Sequence, residues 1–174
     1  MEYLVRDNGT VIVTGSIDLT GTKLPELPRF GMRMELHQPY ENLTYYGRGP
    51  FENYIDRYSG AFIGRYEDKV ENQFYWYIRP QETGNKTDVR WLTLLDSGGL
   101  GVKITGLQPI SFSALHFSPE DLDPGLTRKL QHTIDIVPQK NIFLHVDLKQ
   151  RGLGGDNSWG MYPHNEYRLL DKKY

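Results

Sequence analysis

Ile142-Phe143-Leu144-His145-Val146-Asp147-Leu148-Lys149 puts Ile142, Leu144, Val146 and Leu148 on one side of an extended chain, and Phe143, His145, Asp147 and Lys149 on the other. A period of two is the signature of a β-strand with one face turned to a core. The same register runs through 29–38, where Phe30, Met32, Met34 and Leu36 oppose Arg33, Glu35 and His37. His132, Ile134 and Ile136 alternate with Thr133, Asp135 and Val137, and further strands are expected over 10–19, 61–66, 74–78, 90–96, 100–105 and 110–117. Asp96-Ser97-Gly98-Gly99 separates two of these as a hairpin turn, because glycine takes positive φ at little steric cost. One helical turn is expected at Ser118-Pro119-Glu120-Asp121, an N-cap followed by proline at the first helical position, and Asp123-Pro124-Gly125 ends it. Short strands, tight turns and almost no helix define an all-β chain, an antiparallel sandwich or barrel.

The composition agrees and narrows the function. Twelve Tyr, 7 Phe, 3 Trp and 18 Gly suit strands joined by turns. A chain of 174 residues buries enough surface to fold as one domain, 1–174, and no linker-like stretch divides it. There is no cysteine, which excludes a disulfide scaffold, a thiol nucleophile and a zinc–thiolate site. With 20 Lys+Arg against 22 Asp+Glu and no basic stripe, a nucleic-acid partner is not expected. No apolar run is long enough to span a membrane, and Met1–Arg6 lacks the pattern of a secretion signal, so cytoplasm and periplasm both stay open.

Two segments concentrate groups that bind or react. Tyr45-Tyr46-Gly47-Arg48-Gly49-Pro50-Phe51-Glu52-Asn53-Tyr54-Ile55-Asp56-Arg57 carries the paired rings and polar groups of a sugar site. It also reads, and more readily, as a rigid corner in which Glu52 or Asp56 pairs with Arg48 or Arg57. Gly152-Leu153-Gly154-Gly155-Asp156-Asn157-Ser158-Trp159-Gly160 is a glycine-rich loop ending in a large aromatic. Trp159 either contacts a ligand or another domain, or folds back to cap the core. No catalytic set stands out. With 22 acidic residues a carboxylate pair can always be imagined, and His37, His116, His132, His145 and His164 have no metal-ligand spacing. Asp121–Gly125 lacks most of a calcium loop, and the glycine-rich loops lack the lysine of a phosphate loop.

Taken together, "YYGRGPFENYIDR" (45–57), "YIRPQETGNKTDVRWLTL" (77–94) and "GLGGDNSWG" (152–160) resemble the last domain of glycoside hydrolase family 2 β-galactosidases of the lac-operon type, over roughly 40–174. Residues 1–39 fit as preceding strands. The resemblance implies an antiparallel supersandwich of the galactose mutarotase type whose first strands lie upstream of Met1. It implies a multidomain parent that hydrolyses terminal β-D-galactosides with retention, with both catalytic glutamates in a central barrel. This chain would then hold no catalytic residue and be inactive alone. The loop matching 152–160 reaches the barrel mouth, where Trp159 walls the substrate and aglycone pocket, with Asp156 and Asn157 beside it. Asn157 stands where some members have Asp, which argues against a charged role there. No cofactor is implied in this chain, since the divalent and monovalent metal ions of the parent bind elsewhere. The implied partners are a galactoside, the catalytic barrel and further copies of a homo-oligomeric parent. Whether the chain is a truncated piece or a separately encoded subunit stays open. Two other readings remain. One is a free-standing carbohydrate-binding module presenting Tyr45, Tyr46 and Trp159 on one face. The other is a mutarotase-like epimerase using His116 or His145 with a carboxylate.

Overall fold

The computed structural model describes residues 1–37, 39–123, 125 and 131–174. Its strands are β1 (Glu2–Val5), β2 (Val11–Thr14), β3 (Arg29–Leu36), β4 (Asn42–Gly49), β5 (Phe62–Lys69), β6 (Lys86–Leu95), β7 (Gly101–Leu115) and β8 (Ile142–Gln150). β1 and β2 form a separate hairpin; the other six make one sheet in the order β3-β8-β7-β6-β4-β5. Every pairing is antiparallel. This is the all-β architecture that the alternating patterns predict, and the β-sandwich expectation agrees with it.

One face of the six-stranded sheet holds the principal core. Leu43, Leu94 and Val102 lie in one cross-strand row, and Tyr45, Leu92 and Ile104 in the next. Further along, Met34, Leu144 and Ala114 make a third row. Most of these side chains are buried, and each large one contributes roughly 1.5–3 kcal/mol by leaving water. β6 needs an adjustment to join this face, because Val89 and Leu92 differ in parity. The β6–β7 register shifts on both sides of Val89, and Asp88 there adopts φ of 52°. That bulge turns Val89 inward beside Leu92, as an extra residue in a strand must.

The opposite face is not the solvated surface that alternation predicts. Over β7 and β8, Leu115 is covered by Phe74, Phe117, Leu122 and Ile136. Phe143 and Asp147, both placed on the polar side by the sequence pattern, are buried. Leu122 comes from a short α-helix, α1 (Pro119–Leu122), started by the expected Ser118 cap: its Oγ accepts from Asp121 N at 3.1 Å, and Asp121 Oδ2 accepts from Ser118 N at 2.7 Å. The continuation at Pro124 falls outside the described residues.

Several expected strands differ. Residues 100–105 and 110–117 are one strand, β7, which runs on through Gly106–Pro109. Only Val11–Thr14 of 10–19 is a strand, and 74–78 is irregular, pinned by Tyr75 N donating to Thr83 Oγ1 at 3.1 Å. His132–Val137 forms a 3-10 turn at Thr133–Asp135, because Asp135 accepts from His132 N at 2.8 Å and caps it. That local bond outcompetes a ladder with no neighbouring strand. The Asp96–Gly99 turn is as expected, with Asp96 Oδ1 accepting from Gly98 N and Leu100 N, and Gly99 at φ of 83°.

Candidate functional site

β4 delivers its last residues into the 50–57 corner, and the sequence there fixes the turn from within. Asn53 is fully buried: Nδ2 donates to the carbonyls of Arg48 (3.1 Å) and Phe51 (3.0 Å), while Oδ1 accepts from Thr87 N (2.9 Å) and Thr87 Oγ1 (2.5 Å). Glu52 ties the corner to the next loop. Its Oε1 accepts from Arg57 at 2.7 Å and from the Tyr77 hydroxyl, and its Oε2 accepts from Gly84 N at 2.7 Å and Thr83 Oγ1 at 3.0 Å. Arg48 pairs instead with Asp88 at 2.5 Å. Burial pushes the Tyr77 hydroxyl up, and the Glu52 hydrogen bond adds to it. Tyr54 is buried, and its hydroxyl is driven up by desolvation. Of the pairings expected, Glu52–Arg57 forms; Asp56 goes elsewhere.

Asp56 joins the two segments that the sequence singles out. Its Oδ2 accepts from Gly154 N at 2.7 Å. A Cβ at Gly152 would stand 2.7 Å from its carboxyl carbon, so glycine is required where the loop crosses the corner. The root of the loop is closed by ions: the Glu26 side chain, 8% exposed, accepts from Arg151 Nη1 at 3.0 Å and Arg168 Nε at 2.8 Å. Arg168 is the main reason that Glu26 stays below the usual carboxylate range. Both guanidinium groups also lie over the Tyr162 ring, at 5.7 Å and 4.9 Å.

Beyond that root the loop is outside the body of the protein. Trp159 is 92% exposed. Asn157 Oδ1 accepts from Trp159 N at 2.8 Å, and Asp156 Oδ1 lies 2.8 Å from His164 Nε2. The Asp156 bond raises the His164 pKa. Asp156 and Asn157 therefore spend polar groups on the shape of the loop, and Trp159 spends none of its ring on this chain. The alternative in which Trp159 caps the core does not hold in this structure.

The remaining candidates separate. Tyr45 is 1% exposed on the core face, whereas Tyr46, its neighbour on β4, points to the other face. Adjacent strand residues must diverge in this way, so Tyr45, Tyr46 and Trp159 form no common binding face. His116 bonds the Asn141 carbonyl (3.1 Å) and Glu41 (2.9 Å), so both its nitrogens are occupied. His145 stands on the second face of β8 with Asp147 two residues on. Burial lowers His145 to about 4 and raises Asp147 to about 6. Alternation puts His145 and Asp147 on one face, and loop 81–83 and α1 wall in His145 there, which no local pattern shows. Among the described residues, no group of three or more His, Asp or Glu could hold a metal ion, and no helix is long and apolar enough to cross a membrane.

The described residues form an antiparallel β-domain with a pinned, aromatic-tipped loop. The sequence comparisons give its family. The β-galactosidase small-chain model matches residues 1–174, and the chain belongs to that family. It is 37% identical over 167 residues to a β-galactosidase of Priestia megaterium, covering 96% of this chain and 16% of that protein. It is 36% identical to the Streptococcus thermophilus β-galactosidase over 168 residues, again 96% of this chain and 16% of the relative. With the Lactobacillus delbrueckii subsp. bulgaricus β-galactosidase it shares 35% identity over 173 residues, 98% and 16% of the two chains. The chain thus spans about one sixth of the length of these relatives, 16% in each case.

Proposed function

We propose that this chain is a non-catalytic domain of an enzyme that hydrolyses terminal β-D-galactosides, and that it packs on the catalytic barrel and lends Trp159 to the substrate and aglycone pocket. The exposed indole on a rooted loop carries this reading. Leaving about 200 Å² of aromatic surface in water costs several kcal/mol of unrealised burial, which a partner surface or a sugar ring recovers. The flat face of an indole suits the C–H face of a pyranose, and its one N–H donates to a hydroxyl. Trp159 thereby positions the sugar and moves no proton. Asp156 and Asn157 act beside it by holding the loop tip. The acid and nucleophile and the metal ions belong to the remainder of that enzyme, which is a homo-oligomer.

The test is hydrolysis of a chromogenic β-galactoside by the chain alone, by the barrel-containing remainder alone, and by the two mixed. The expected result is activity only on mixing, with Trp159→Ala in the assembled enzyme raising KM by roughly tenfold. Turnover by the chain alone would require a carboxylate pair within this sheet and would end the reading.

A further inference from the structure

A second site lies on the other face of the sheet, independent of the Trp159 loop. β7 and β8 form the floor of a cavity of about 350 Å³, with loop 81–83 as one wall and α1 as the other. The floor consists of two cross-strand pairs, apolar Leu115–Phe143 and polar Ser113–His145. Phe117 and Leu122 extend the apolar half. Gln81 and Glu82 stand over the polar half, and Arg29 fixes that wall by binding Glu82 Oε2 at 2.7 Å.

The polar half is under-used by the protein itself. His145 Nε2, in the cavity floor, is buried with no hydrogen-bond partner, whereas the carboxylate of Asp147, the next inward residue of β8, lies against Gly31 and outside the lining. Arg29 reaches Asp147 only at 3.5 Å, an ion pair rather than a hydrogen bond. The Ser113 hydroxyl, the Gln81 amide and Glu82 Oε1 make no hydrogen bond among the described residues. Buried polar groups are almost always satisfied, so the unfilled His145 Nε2 in the floor, with solvent-facing polar groups of Ser113, Gln81 and Glu82 around the same cavity, points to a ligand that bonds them.

The chemistry of that ligand follows from the lining. Five apolar side chains on one side favour C–H surface, while hydroxyl, amide, imidazole and carboxylate on the other favour hydroxyl groups. Among the described residues the cations nearby are committed, Arg29 to Glu82 and Asp147, and Arg33 to Glu120 at 2.8 Å, which favours a neutral ligand over an anion. The volume lies at the small end of ligand sites, room for a single ring. We propose that this cavity binds a neutral polyhydroxylated ring, a monosaccharide, with Phe143 and Leu115 under its apolar face and Ser113, His145, Gln81 and Glu82 on its hydroxyls.

Titration of the 174-residue chain with D-galactose, D-glucose and glycerol, followed by amide chemical shifts, tests this. Saturable binding of at least one hexose is expected, with a dissociation constant on the order of 1 mM. The shifts should centre on Ser113, Leu115, Phe143 and His145. Ser113→Ala and Glu82→Gln should each weaken binding by about tenfold, the worth of one hydrogen bond. If either variant fails to give the native spectrum, Gln81→Ala on the exposed rim replaces it. No saturation by any of the three compounds overturns the proposal. So does binding whose shifts fall only in 152–164 and vanish in Trp159→Ala, or a preference for galacturonate or phosphate over the neutral hexoses. None of these outcomes bears on whether the chain restores galactoside hydrolysis on mixing, so the two proposals fail separately.

Discussion

The 45–57 corner and the 152–160 loop look alike in sequence, each a glycine-rich turn set with aromatics and short polar side chains, yet they do opposite things. The corner turns its polar groups inward: Asn53 satisfies four partners, Glu52 four more, and Tyr54 is buried beneath them. The loop turns its largest side chain outward and keeps only enough internal bonds to hold a shape. Composition does not separate the two cases. What separates them is whether another part of the same chain supplies the partners. Thr87, Asn85 and Gly84 do so for the corner, and nothing among the described residues does so for Trp159.

That contrast can be broken most forcefully at Asn53. Asn53→Ala strips four hydrogen bonds from a buried site and leaves Thr87 N unsatisfied, so a loss of about 3 kcal/mol is expected in urea unfolding. A loss under about 1 kcal/mol would mean the corner is as loosely determined as the loop. Asp56→Ala should cost less, about 1 kcal/mol, but should release Gly154 N and speed its amide exchange by about tenfold. Unchanged exchange there would show that the loop is held by Glu26 and its arginines alone. Trp159→Ala should leave unfolding within about 0.5 kcal/mol of the parent chain. A large drop would turn Trp159 into a packing residue and erase the difference between the two segments.

The covered face adds a comparison of its own, between two neighbours on β8. His145, lowered to about 4 by burial and by Arg29 and Arg33, stabilises the fold above its unfolded value near 6.5 and loses that as pH falls towards 4. Asp147, raised to about 6 by burial and by Glu82, does the reverse: its contribution is complete below about 3.8 and is lost as pH rises through 6. Between these limits the two slopes oppose and largely cancel. His145→Gln should therefore make the chain more stable as pH drops from 6 to 4, and Asp147→Asn should make it less stable over the same interval. Parallel pH profiles for the two variants, measured by thermal unfolding, would show that neither group is held as far from its ordinary range as burial dictates.

The parts of the fold legible in the sequence were those governed by local pattern. β3 and β8 follow from strict alternation, the Asp96–Gly99 hairpin from turn chemistry, and α1 from its Ser118 cap. Misreadings arose where a tertiary partner decides. Ile134 and Ile136 alternate as in a strand, but among the described residues no strand lies alongside, and Asp135 closes a turn instead. Phe74-Tyr75-Trp76 has strand composition, yet Phe74 packs against Phe117 at 4.4 Å, and its backbone bonds to Thr83 through Tyr75. The two glycine-rich segments were visible as motifs, but their junction at Asp56 was not, since it joins positions 98 residues apart. The cavity was invisible for the same reason. Ser113 and His145 belong to different strands, and Gln81 and Glu82 lie in a segment whose sequence carries no sign of what it packs over.

The contact between Asp56 and Gly152 has a consequence for how such domains can diverge. With 2.7 Å between the carboxyl group and the place a Cβ would occupy, position 152 can acquire a side chain only in a lineage that first shortens or reorients residue 56. A substitution at 56 that keeps the carboxylate but lengthens it would press on the same backbone. Aligned sequences should therefore show the two sites changing as a pair, a correlated signal linking segments that no short-range motif search would put together.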